Sequence, residues 1–119
     1  MATTTINITN GSTSPKAGPA TVTDSTPTVT NYVAFTNETT HGVKITGSGG
    51  WSNNFSENNI VLPTSSGSNT ATLALKVNGS TVVETVEYTI AYTNYTPPPP
   101  PPGEPEPLTD PVFTITVNP

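Results

Sequence analysis

The chain has 119 residues, eight acidic and three basic, giving a net charge of −5, with 31% hydrophobic residues and no cysteine. That length fits one domain plus an arm, and without cysteine there is neither a disulfide scaffold nor a thiolate metal site. Lys16, Lys44 and Lys76 are the only strong cations and arginine is absent, so nucleic-acid phosphates and anionic membrane surfaces are not expected partners.

The polar mass is Thr, Ser and Asn, and every apolar segment is short and alternating. This is the periodicity of strands, and Thr suits the exposed face of a sheet. Residues 3–9 alternate with Ile6 and Ile8 on one face, ended by a turn at Asn10-Gly11-Ser12. Residues 13–27 read as loop, interrupted by a short strand at Ala20–Thr23. Residues 28–36 form a second clear strand, with Val29, Asn31, Val33 and Phe35 on one face. Val43 and Ile45 point inward in the next strand, and Lys44 points outward. Gly47-Ser48-Gly49-Gly50 breaks the pattern, and residues 51–59 form a polar loop anchored by Trp51 and Phe55. Ile60–Leu62 is a short strand stopped by Pro63.

Residues 70–77 put Ala71, Leu73, Leu75 and Val77 on one face. Asn78-Gly79 is the strongest hairpin signal in the chain. It predicts that residues 81–93 return beside the preceding strand, with Val82, Val86, Tyr88, Ile90 and Tyr92 inward. Glu84 falls on the same face, which requires a sheet rim or a bulge.

A proline run follows: Pro97, Pro98, Pro99, Pro100, Pro101 and Pro102, then Gly103, Glu104, Pro105, Glu106 and Pro107. Proline fixes φ and lacks an N–H, so this stretch reads as a polyproline II rod. The fifteen residues 96–110 would span roughly 46 Å at about 3.1 Å each. A return along one sandwich needs only about 20–30 Å. A last alternating strand carries Val112, Phe113, Ile115 and Val117. The surplus reach predicts that this strand leaves its own domain and docks on a neighbouring subunit or on a capsid surface. The expected organisation is a sandwich over residues 1–96, a rigid linker over 97–110 and a docking strand over 111–119.

Seven to eight short strands with regular turn signals predict an all-β, immunoglobulin-like antiparallel β-sandwich. Phe35-Thr36-Asn37, Val43-Lys44-Ile45-Thr46, Ile60-Val61-Leu62-Pro63 and Ala71-Thr72-Leu73-Ala74-Leu75 strengthen that pattern. Over residues 28–93 it resembles the immunoglobulin-like modules of phage virion surfaces, the capsid decoration and tail proteins. The resemblance implies a structural, non-enzymatic protein that binds other protein subunits.

No residue pattern argues for chemistry. His41 is the only histidine and sits in a polar turn; a metal site normally needs three or four ligands. The carboxylates lack a calcium-loop pattern, and no serine lies in a nucleophile elbow. No cofactor is expected. Trp51 and Tyr95 are the candidate surface contacts for a sugar, although most aromatics of a sandwich belong to its core. Six N-x-[ST] sequons, at Asn7, Asn10, Asn37, Asn54, Asn78 and Asn94, read mainly as composition. The start Met1-Ala2-Thr3 shows no basic region followed by an apolar one, so cytoplasmic synthesis is expected. Three readings follow: a virion-surface structural module, a subunit of an extracellular filament built by strand addition, and a carbohydrate-binding module with weak glycan affinity.

Overall fold

A computed structural model describes residues 2–11, 14–24, 28–64, 69–76, 81–93, 95, 102–103 and 112–119. These residues form nine strands and one helical turn. In chain order they are β1 (Ala2–Asn10), β2 (Pro15–Ala17), β3 (Ala20–Thr23), β4 (Asn31–Asn37), β5 (Val43–Gly47), α1 (Trp51–Asn54), β6 (Ile60–Leu62), β7 (Thr70–Ala74), β8 (Glu84–Tyr92) and β9 (Val112–Asn118). They build a β-sandwich of a four-stranded sheet, β2-β1-β4-β7, and a five-stranded sheet, β3-β9-β8-β5-β6.

The alternation read from the sequence is the alternation that buries the core. Ile6 and Ile8 of β1, Val33 and Phe35 of β4, and Leu73 of β7 line one inner face. Val22, Val43, Ile45, Val86, Tyr88, Ile90, Ile115 and Val117 line the other. The opposite positions carry mostly Thr, with Lys44 and Glu87 exposed. Glu84 is half-buried at the first position of β8, so it lies at the rim without a bulge.

Four details depart from the expectations. The sheets are mixed rather than antiparallel: β1 runs parallel to β4, and β3 runs parallel to β9. Pro15–Ala17 is an additional strand, paired antiparallel with β1. The Asn78-Gly79 hairpin lies outside the described residues, but its flanking strands do not pair. β7 bonds to β4, whereas β8 bonds to β5 and β9 in the opposite sheet. Both strands turn an apolar face to the same core from opposite sides, so the chain crosses between sheets there. Val82 precedes β8 and is exposed rather than inward.

The fourth departure concerns the end of the chain. β9 does not leave the domain. It lies inside its own five-stranded sheet, parallel to β3 and antiparallel to β8. Ile115 and Val117 are fully buried, Phe113 is half-buried, and Val112 is 54% exposed. Three of the four residues expected to dock on a neighbour therefore pack in this core, and residues 112–118 belong to the sandwich.

Candidate functional site

The proline-rich segment joins β8 to β9, and the two are side-by-side antiparallel partners from Glu84↔Val117 to Thr89↔Val112. Segment entry and exit therefore lie at the same end of the sandwich. Of the prolines predicted as linker, Pro97, Pro98, Pro99, Pro100, Pro101, Pro105 and Pro107 lie outside the described residues. Pro102 and Gly103 are described: they form an exposed turn, with Gly103 at φ 93. That positive φ is favourable only for glycine, and nothing lies within 4 Å of a Cβ placed there. Reach alone misjudged where this connection ends, because β9 pairs with β8 in the same sheet.

The base of the segment is built from Asn37 upward. Asn37 is fully buried at the end of β4. Its Nδ2 donates to the carbonyls of Pro63 (2.7 Å) and His41 (2.9 Å). Its Oδ1 accepts from the Thr39 N–H (2.9 Å) and the Thr39 hydroxyl (2.6 Å). This one amide ties the β4–β5 turn to the end of β6, and so fixes the position of His41. The His41 ring stacks on Tyr95 at 3.7 Å between centroids and 6° between planes. Tyr92 meets both rings edge-on, at 5.7 Å from His41 and 5.1 Å from Tyr95. The Tyr92 hydroxyl is 3.0 Å from Asn10 Oδ1, and can donate to it. Burial, and secondarily the neighbouring Tyr95, push the Tyr92 phenol above its ordinary value. The Thr93 N–H also donates to the Gly42 carbonyl (3.0 Å). The chain thus leaves the sandwich from a three-ring cluster, with Tyr95 its exposed member.

Trp51 is not a surface contact. It is 1% exposed and packs on Phe55 (4.6 Å), Tyr88 (6.0 Å) and Phe35 (6.2 Å). Its indole N–H donates to the Glu57 carbonyl (2.6 Å). Gly47 is the reason that it fits: a Cβ there would stand 2.0 Å from the indole Cγ. The preceding loop is held by backbone bonds between Ser48 and Gly49 and the two sides of Glu87. The sugar reading therefore loses Trp51 and retains Tyr95, now with Tyr92 and His41 beside it. Sequence reasoning missed this grouping, since 41, 92 and 95 meet only through the β5–β8 ladder that sets Val43 opposite Tyr92.

Two of the six sequons are closed by the fold, because Asn37 and Asn54 are buried. Asn7 and Asn10 are exposed, and Asn78 and Asn94 lie outside the described residues. Among the described residues no group of three His, Cys, Asp or Glu side chains is placed to hold a metal ion. No helix of the described residues is long and apolar enough to cross a membrane. No family model matches the chain, and no curated protein matches it in sequence.

Proposed function

We propose that this chain is a non-enzymatic structural module of a virion surface, a capsid decoration or tail component made in the host cytoplasm. It presents its proline-rich segment to neighbouring protein subunits. The observation that carries the reading is the pairing of β8 with β9. It tethers a long, proline-rich connection by both ends to one end of a rigid sandwich, with the turn Pro102-Gly103 exposed. Connections this long inside a compact domain are uncommon, and are either functional or linker segments. A stiff, doubly tethered segment loses little entropy on binding. The immunoglobulin-like assignment is supported by the order β6-β5-β8-β9, which matches the C′-C-F-G order of such a sheet. The expectation that assembly runs through β9 is replaced here by assembly through the segment that precedes it.

Two measurements test the proposal. Replacing residues 97–107 by a Gly/Ser sequence of equal length should leave the melting temperature within a few degrees and abolish co-sedimentation with particles. Immunogold labelling with an antibody to the chain should decorate the surfaces of particles released by the cells that encode it. Label confined to cell-attached filaments would replace the virion reading by the filament one. Unchanged co-sedimentation of the Gly/Ser variant would remove the segment from assembly.

A further inference from the structure

The four-stranded sheet consists of two antiparallel halves. The hairpin β1–β2 is one and the pair β4–β7 is the other. They meet in a single parallel ladder, from Ala2↔Asn31 to Ile8↔Asn37. β2 is an edge strand that bonds only to β1. In an immunoglobulin-type sandwich the first two strands of this sheet are direct neighbours. Here β1 is wedged between β2 and β4 as a strand beyond that framework. The hairpin is joined to the rest of the chain through Gly18 and Pro19, both exposed, and nothing lies within 4 Å of a Cβ placed on Gly18. Beyond those two residues the chain has already passed into the other sheet as β3.

We propose that this parallel seam is an exchangeable interface, in which the N-terminal hairpin of one copy of the chain docks on β4 of a second copy. The edge of β4 cannot be left open. Without β1 it would expose a row of unpaired backbone groups, together with the core sites that Ile6 and Ile8 fill. The occupant must therefore be a β1, its own or a neighbour's. Exchange keeps every ladder bond and every buried contact, and alters only the hinge, so concentration and hinge strain set the balance. The hinge is only two residues long, and short hinge loops invite exchange. Within one chain the seam joins residues about thirty apart, so self-docking has a high effective concentration that a neighbour must match, and exchange rises with concentration. Neither β1 nor β4 carries a charged residue, so the net charge of −5 places no like charges across the seam. The inference stands independently of the virion setting and uses a different part of the molecule from the proline-rich segment.

The absence of native cysteine makes the test direct. Thr5 and Ala34 are opposite each other in the ladder, at positions alternate to Ile6 and Phe35, with Thr5 exposed and Ala34 buried. The double variant T5C/A34C, oxidised when dilute, should form an intramolecular disulfide, which reports the register. Differently tagged single variants, T5C and A34C, should be refolded together and oxidised across a concentration series. The expected result is a mixed T5C–A34C dimer whose share rises with concentration and exceeds that from either variant alone. A second variant, lacking Gly18 and Pro19, should keep the strand circular-dichroism signal while sedimenting as a dimer or larger. The proposal is overturned by a mixed preparation that stays monomeric at every concentration, by a hinge-deleted chain that is a folded monomer, or by failure of the double variant to cross-link.

Discussion

At the scale of the residue, Tyr88 carries a polar atom that works against the core. Tyr88 is fully buried among Phe35, Phe113 and Trp51, with ring centroids at 5.3, 5.7 and 6.0 Å. Among the described residues nothing accepts its hydroxyl proton. A buried hydroxyl without a partner costs about 1–3 kcal/mol. Tyr88→Phe should therefore raise stability by about 1 kcal/mol in urea unfolding. Burial also drives the Tyr88 phenol well above its ordinary range, so it stays protonated in the fold. In the unfolded chain a tyrosine loses its proton near pH 10. Above that pH the unfolded state holds fewer protons than the native one, so stability falls as pH rises, by up to about 1.4 kcal/mol per unit for this group. The Phe variant should show a shallower alkaline decline than the parent, and parallel declines would contradict the assignment. Asn37 is the opposite case, since its buried amide satisfies groups on two turns. Asn37→Ala should cost about 3 kcal/mol by leaving several buried partners unbonded. It should also free His41, seen as loss of the Tyr95 ring-current shift on its imidazole protons by NMR.

At the scale of the element, β9 and α1 behave differently from what their positions in the chain suggest. A terminal strand behind a long linker looks dispensable, yet β9 has neighbours on both sides within its sheet. Its two fully buried side chains, Ile115 and Val117, each contribute about 1.5–3 kcal/mol. Its removal would also unpair β3 and the long edge of β8. Against a total stability of about 5–15 kcal/mol, deleting residues 112–119 should abolish the cooperative thermal transition. A transition near that of the full chain would mean that the strand serves another subunit. The turn α1 exists to insert an aromatic wedge: its four residues bring Trp51 and Asn54 inward, and Gly47 leaves the space that the indole occupies. Gly47→Ala should lower stability by about 1–3 kcal/mol through overpacking, detectable as a red-shifted Trp51 emission with a lowered melting temperature.

At the scale of the whole molecule, the sequence by itself determined which residues of the alternating strands face inward, while Val82 and Trp51 outside them went the other way. A side-chain period of two, carried by Ile6/Ile8, Val33/Phe35, Val43/Ile45, Val86/Tyr88/Ile90 and Ile115/Val117, is a local property that each strand has alone. The sandwich follows because such faces must be covered, and the rim position of Glu84 follows from where β8 begins. Which strand lies beside which was decided only by the tertiary structure. Pairing depends on non-local ladders, and alternation is the same whether the neighbour is parallel or antiparallel. Thus the parallel seams β1·β4 and β3·β9, the short strand β2 and the crossing between β7 and β8 left no local mark. Asn78-Gly79 favours a tight turn, but the two apolar faces beside it are satisfied from opposite sheets across one core. The cluster of His41, Tyr92 and Tyr95 was illegible for the same reason, being assembled by the β5–β8 register from distant parts of the chain. Where the proline-rich connection ends was likewise decided outside it: local stiffness suggested a long reach, whereas the pairing of β9 with β8 sets its two flanking strands side by side.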